Sequence, residues 1–401
     1  MKRPIIIIII ILAIAALLLG IYFAWKKSRA IMVPASQNSG QSGGLPDINN
    51  PENQNQASIN VPQNQDLTAG QEERKEAPEK LKIISGGTAS GYLITPSGIG
   101  ATTTAFDVFY MNEAGQIIKI GANNEEIISE KTFDDIQLVK TSRNGKFILI
   151  KYGSINNPDF SIFNIETKVW QKLSNVSAAD FSPDSKKIAY LENSNNSAKS
   201  NLALKDLTGA NPKSQRVLSL YQKDFDLIWN NPEKIFLEPK PSSEYEGQIW
   251  AVGVKNKTMS QISSGLGLMA KWSSDGKAGI RFKTSPDRSQ KLDFINDKGE
   301  VLGNLDFFTL PNKCAINQSV IYCALPQSYN SMIEPTLPDD YLKKAVYSRD
   351  FIFRIDTNQN SFDLVLGDLG RNIDAVNLNF YGNQLFFINR YDGRLYSLET
   401  Q

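Results

Sequence analysis

Two cysteines and no histidine limit the chemistry open to this 401-residue chain. Without an imidazole, every Ser-His-Asp or Cys-His nucleophilic mechanism is excluded. The commonest general base and metal ligand is missing too. Cys314 and Cys323 bracket CAINQSVIYC, which reads as one hairpin, and a four-residue loop would set the two side chains opposite one another on adjacent strands. Outside the cytoplasm such a pair is a disulfide; the alternative is two buried thiols. Two thiolates with no further ligand make a poor zinc site. Carboxylate pairs stand at Asp134-Asp135, Asp224/Asp226 and Asp339-Asp340. None follows the alternating oxygen-ligand order of a calcium loop, so they read as solvated turn residues. Trp170, Trp229, Trp250 and Trp272 read as core between sheets rather than as a sugar-stacking platform. No catalytic residue, metal site or cofactor is expected. The balance of 43 Lys+Arg against 42 Asp+Glu excludes a globally basic nucleic-acid binder.

The elements that would carry any site are strands. Val176 to Tyr190 reads VSAADFSPDSKKIAY: a short apolar run, a Ser-Pro-Asp-Ser turn with proline at its second position, and a second apolar run. Proline also ends helical hydrogen bonding there. Variants return about every forty residues, as in IQLVKTSRNGKFILIKY (Ile136 to Tyr152), LMAKWSSDGKAGIRF (Leu268 to Phe282) and AVNLNFYGNQLFFIN (Ala375 to Asn389). Seven runs match the second strand of this hairpin: Asp107–Asn112, Lys146–Tyr152, Lys187–Glu192, Lys234–Glu238, Lys277–Lys283, Ser319–Ala324 and Gln384–Asn389. Each is followed by a third strand-like run, and six of them by a fourth, more polar one. The seventh unit lacks its fourth strand, and Leu81–Ser85 is a spare strand before the first unit. We expect it to pair beside Arg394–Leu398 and close the circle, giving an all-β, seven-bladed β-propeller over residues 81–401, with six or eight blades as alternatives.

At FSPDSKKIAYLE followed by LALKDLTG the sequence resembles the WD40-like repeats of the TolB-type and prolyl-oligopeptidase-type propellers. WSSDGK at Trp272–Lys277 is a second match, and elsewhere only the spacing agrees. Ser185 stands where those repeats carry glycine. The resemblance covers about 320 residues. It implies a propeller and carries over no catalytic residue, because such peptidases place their chemistry in a separate hydrolase domain.

Ahead of the repeats, Ile5 to Trp25 carries no charge, and at a helical rise it spans roughly 30 Å, the thickness of a bilayer's apolar core. Tyr22, Phe23 and Trp25 followed by Lys26, Lys27 and Arg29 suit an interfacial boundary. A cleavable signal peptide ending near Val33-Pro34-Ala35 is the alternative, but the apolar run exceeds a usual signal core. We therefore expect a membrane anchor in residues 1–30, with the bilayer contacted by 5–25. Residues 31–80, rich in Asn, Gln, Ser and Pro, read as a disordered linker.

The sixth unit carries an insertion, Pro326 to Arg349, in which Asp339 or Asp340 could cap a short helix through Val346. Met332, Ile333, Leu337, Asp339, Asp340, Tyr341 and Leu342 are the candidate interaction loop, and the other outcome is a cover folded over one propeller face. The sequence points to a single-pass membrane protein with its propeller outside the cytoplasm, a non-catalytic scaffold for an envelope protein. Small-ligand or glycan capture is the alternative, with an enzyme third.

Overall fold

The computed structural model describes residues 58–59, 80–96, 106–122, 124–193, 199–209, 212–222 and 224–400. The expected anchor, and the expected linker apart from Ser58, Ile59 and Lys80, lie outside the described residues. Among the described residues no helix is long and apolar enough to cross a membrane.

The described residues form antiparallel sheets laid down in chain order. The first sheet holds Gly91–Pro96, Phe106–Met111, Ile117–Ile120 and Glu125–Ser129, and the second Leu138–Thr141, Phe147–Tyr152, Asp159–Asn164 and Val169–Leu173. The third runs from Val176–Phe181 to Ser214–Leu220. A fourth, eight-stranded sheet holds seven strands from Phe225 to Leu305 together with Ser58–Ile59, a fifth covers Cys314 to Leu366, and a sixth Ala375 to Glu399 together with Leu81–Ile83. The seven strands from Phe225 to Leu305 form one sheet and not two because two units share a single strand, Met259–Trp272. Its first half pairs with Gly247–Gly253 and its second with Ala278–Thr284, with a register shift between Leu266 and Met269. Gly265 and Gly267 at that bend have φ of 152° and 61°. Glycine adopts such values without strain, and a Cβ at Gly267 would fall 2.8 Å from Thr284 Oγ1.

Central strands are apolar at nearly every position, as in Phe147, Ile148, Leu149 and Ile150, because each sheet is covered on both faces by its neighbours. One apolar cluster joins Leu93, Phe109 and Ile117 of the first sheet to Ile148 and Phe163 of the second. Others join the second to the third, the third to the fourth, and so on around. A cluster of Val108, Tyr110 and Ile118 with Phe386, Ile388 and Leu395 packs the first sheet on the last, so the series closes on itself. Tyr92 of the first sheet donates its hydroxyl to the carbonyl of Phe386 at 2.9 Å across this seam.

Leu81–Ile83 pairs with Leu398, Ser397 and Tyr396 in antiparallel register, so the last sheet contains both an early and a late part of the chain. Ser58–Ile59, within the expected linker, pairs in parallel with Asn304 and Leu305. An outermost strand leaves unpaired N–H and C=O groups, to which any extended segment can add.

The repeated turn has a physical basis. Ser182 Oγ donates to Asp184 Oδ1 at 2.6 Å and accepts the N–H of Lys187 at 2.9 Å, and Asp184 accepts the N–H of Lys186 at 3.0 Å. The hydroxyl of Ser182 and the N–H of Lys186 hold the Asp184 carboxyl below its usual range. The same pattern recurs at Ser142/Asn144 and Ser273/Asp275. Gly145 and Gly276 take the left-handed conformation there, whereas Ser185 takes it with φ of 58° and offers its Oγ to the N–H of Asn144 at 3.0 Å in the neighbouring sheet.

Deleting Leu81–Ser85 should lower the melting temperature of the whole ring by several degrees in calorimetry, since it exposes the edge of the last sheet. A melt that stays in place would show that this strand contributes nothing to closure.

Candidate functional site: the insertion and the face it covers

Cys314 and Cys323 are direct cross-strand partners with Cα atoms 4.2 Å apart, and their sulfurs form a disulfide. Both are fully buried, in a cluster with Leu310, Leu325, Leu337, Tyr341 and Val346. The disulfide therefore lies beneath the insertion and is not presented to solvent.

Strands Val320–Tyr329 and Ser348–Asp356 pair as far as Tyr329 and Ser348, and the insertion departs beyond them. Its helix, α1, covers only Asp339–Leu342. The expected cap is absent: Pro338 occupies the N-cap position, and the two carboxylates point elsewhere. Asp340 accepts the N–H of Thr336 at 2.7 Å, and Asp339 accepts the N–H of Ser243, from the fourth sheet, at 2.7 Å. Lys344, with φ of 59°, ends the turn well before Val346. Of the apolar candidates, Met332 and Ile333 are 107% and 80% exposed and Leu342 is partly exposed. Leu337 and Tyr341 correct the expectation of a shared contact surface. Both are buried, because the insertion lacks a core of its own and has to borrow one from the sheets below.

Under Tyr341 lies a group of charges that sequence reasoning missed. Lys313 Nζ donates to Tyr341 Oη at 2.9 Å, Ser348 Oγ at 3.0 Å and Asp374 Oδ1 at 2.6 Å, and lies 2.6 Å from Asp350 Oδ2. Arg390 pairs with Asp374 Oδ2 at 3.1 Å and stacks over the Tyr341 ring at 4.1 Å. Burial alone would lower the Lys313 pKa, but the Asp350 and Asp374 carboxylates and Tyr341 raise it. Burial raises Asp350, whereas at Asp374 burial is outweighed by Lys313, Tyr341 and Arg390 together, which hold it below its usual value. These residues stand far apart in sequence, and only the odd placement of Lys313 at the head of an apolar strand hinted at them.

A second set of charges sits on and beside the innermost strands. Lys140 pairs with Asp180 at 3.0 Å and donates to the carbonyl of Leu227 at 2.6 Å. Glu238, opposite Asp226 in its hairpin, accepts the indole N–H of Trp272 at 2.7 Å. Burial pushes its carboxyl up to about 8. Burial and the nearby Lys140 lower Lys271. Trp229 and Trp272 are buried, the latter stacked on Phe236 at 4.0 Å, and Trp170 packs against Phe133 and Phe163. Among the described residues no group of His, Cys, Asp and Glu is arranged to hold a metal ion. A cleft of about 210 Å³ runs between Glu334–Leu337 of the insertion and the loops at Ser243–Glu244 and Thr284–Gln290.

Exposed apolar residues divide by position. Large ones outside the strands are Ile155, Tyr221, Tyr245, Phe308, Met332, Ile333, Leu342 (on α1) and Tyr391. Every one lies between the second and third strands of a sheet or between one unit and the next. In up-and-down sheets both kinds of connection fall at the same end. Of the remaining exposed large apolar residues, Ile83, Ile127, Val169 and Leu364 are on outermost strands, Met259 begins the long strand Met259–Trp272, and Leu302 is on Val301–Leu305 beside Ser58–Ile59. Among the described residues the loops at the other end expose none.

No family model and no curated protein matches the sequence. Similar solved structures do exist. An oligogalacturonate lyase in complex with manganese is 9% identical, over 82% of this chain and 95% of that one, with a TM-score of 0.51. The β-propeller domain of Cps50 (Swd1) from Myceliophteria thermophila is 10% identical over 81% and 100%, with a TM-score of 0.49. TolB from Acinetobacter baumannii is 13% identical over 77% and 80%, with a TM-score of 0.37. The chain carries a β-propeller. At these identities the likeness concerns the fold alone, and the propeller's insertion and charge clusters are described by its own residues.

Two measurements test this description. Tyr341→Ala should cost about 3–5 kcal/mol and open residues 330–347 to limited proteolysis, while Tyr341→Phe should keep the segment resistant; equal resistance of both would show that the ring does not hold the insertion down. Glu238 retains its proton to about pH 8 when folded but loses it near 4.5 when unfolded, so it makes stability fall as pH rises across that window. Glu238→Gln should match the parent's melting temperature near pH 4 and exceed it at pH 8, whereas parallel pH profiles would place that carboxyl in solvent.

Proposed function

We propose that the ring is a seven-bladed propeller, tethered to a membrane by residues 5–25 and held outside the cytoplasm, and that it is a non-catalytic scaffold for an envelope protein. The blade count rests on the seven apolar clusters, six between successive sheets or across the closing seam and one inside the eight-stranded sheet, where Phe236 and Ile249 meet Leu268 and Ile295. Counted this way, the bend at Gly265–Gly267 joins two blades through a shared strand.

The observation that carries the function is the division of exposed apolar residues between the two ends of the ring. A soluble surface carries single exposed apolar residues at random, whereas aromatic and Met side chains gathered at one end favour a protein interface. Met332 and Ile333, at the exposed part of the insertion, are its natural anchors. The absence of histidine supports a non-catalytic role. A disulfide in the core supports an oxidising location. The polar cleft beside Glu334 favours small-ligand or glycan binding as the second reading.

Photocrosslinking in intact membranes tests the two against each other. A photoreactive residue at Met332 should capture a protein that one at Lys257, on the opposite end, does not, and Met332→Asp with Ile333→Asp should lower recovery about tenfold or more. Equal capture from both ends would overturn the docking face. No protein at either position, together with glycan-array binding, would replace the scaffold with the ligand reading.

A further inference from the structure

One carboxyl beneath the insertion is left incompletely satisfied. The three protons of the Lys313 ammonium have three hydrogen-bond acceptors, in Tyr341, Ser348 and Asp374. Asp350 Oδ2 lies 2.6 Å from the same nitrogen in addition to those bonds, and also accepts the N–H of Ala375 at 2.8 Å. Asp350 Oδ1 is buried without a hydrogen-bond partner. Asp374 contrasts with it, because Oδ1 accepts from Lys313, Tyr341 and Ser348, and Oδ2 from Arg390 and the N–H of Ser348. The three reacting side chains are at most 1% exposed.

Two charge-neutral states fit this buried cluster. Both Lys313 and Arg390 can be paired with ionised carboxylates, or one proton can pass from Lys313 to the Asp350 carboxyl, which it meets through Oδ2 at 2.6 Å, leaving the Arg390–Asp374 pair. The carboxylates around Lys313 hold its proton, so the second state is the minor one; a dry interior, which penalises charges far more than neutral groups, is what gives access to it. In that state an amine lies against a carboxylic acid, with a carboxylate beside the nitrogen.

We propose that Lys313 and Asp350 condense to an intramolecular amide bond at the root of the insertion. The Nζ lone pair attacks Asp350 Cγ, forming the C–N bond, while the N–H of Ala375 supports the negative charge that develops on Oδ2. Asp374 takes a second proton from Nζ and returns it to the departing Oδ1 hydroxyl. The C–Oδ1 bond breaks and water leaves. Ammonium and carboxylate thereby become an amide and one water, with no oxidant, reductant or co-reactant. Fixed proximity in a cluster closed to solvent substitutes for an external catalyst. The amide would join the 3-10 turn Pro311–Lys313, which leads into the first strand of the fifth sheet, to its third strand, next to the disulfide joining the first and second.

Mass spectrometry of the full chain, purified in detergent and fully reduced, tests the bond. The expected mass lies one water below that calculated from the observed N terminus, and digestion yields a branched peptide joining the segments around Lys313 and Asp350. Lys313→Arg removes the nucleophile and Asp374→Asn the proton relay, and each should restore the calculated mass. The calculated mass in the unsubstituted chain, with Lys313 recovered in an unbranched peptide, would overturn the proposal. So would a water loss that persists in Lys313→Arg, which marks a cyclised aspartate instead. The decisive spectrum is that of the unsubstituted chain, so a variant that fails to fold does not blur the outcome.

Discussion

Every sheet in this molecule depends on apolar contact with the sheets on either side. Apart from the cluster inside the eight-stranded sheet, no sheet has a core of its own, and strands such as Phe147–Tyr152 are apolar on both faces. Burial at roughly 25 cal/mol per Å² of apolar surface is therefore collected only when neighbours are present on both sides. The first and last sheets are the critical pair, because each would otherwise expose one apolar face. Val108, Tyr110 and Ile118 against Phe386, Ile388 and Leu395 close that gap, and the pairing of Leu81–Ile83 with Tyr396–Leu398 ties the two ends of the ring within one sheet.

The insertion obeys the same constraint on a smaller scale. Too short to enclose apolar residues itself, it lays Leu337, Tyr341 and Val346 on the cluster that contains the disulfide and leaves Met332 and Ile333 in water. Beneath it the chain tolerates a buried lysine, two aspartates and an arginine whose charges sum to zero. Desolvating four charges is costly, and removing any one would strand its partner. Such a cluster is held in place by mutual need, and it ties residues from the start of the fifth sheet, the insertion and the start of the sixth sheet to a single point.

Surface polarity follows from the turns as well as from function. The Ser-x-Asp/Asn turns at one end satisfy their own backbone through short side chains, as at Ser142, Ser182 and Ser273, and so need no apolar cover. The connections at the other end are longer and irregular, and they carry Tyr221, Tyr245, Phe308 and Tyr391. The rigid ring presents these varied loops while the repeated turns serve as scaffold.

The sequence by itself determined whatever is local or periodic: strand-length apolar runs, the turn chemistry at Ser182–Ser185, the spare run at Leu81, and the nine-residue spacing of two cysteines on one hairpin. Alternating chain direction and side-chain period are written into neighbouring residues, so they can be read without knowing what lies opposite. Only the tertiary structure decided what depends on distant partners. It fused Met259–Trp272 into one strand through two glycines, because the bend is set by contacts with Thr284 and its surroundings. It turned Leu337 and Tyr341 inward, since their burial depends on a cluster built from other sheets. It also gathered Lys313, Tyr341, Asp350, Asp374 and Arg390, which no spacing links, because the physical term that unites them is the cost of burying charge in a place that exists only once the ring has closed.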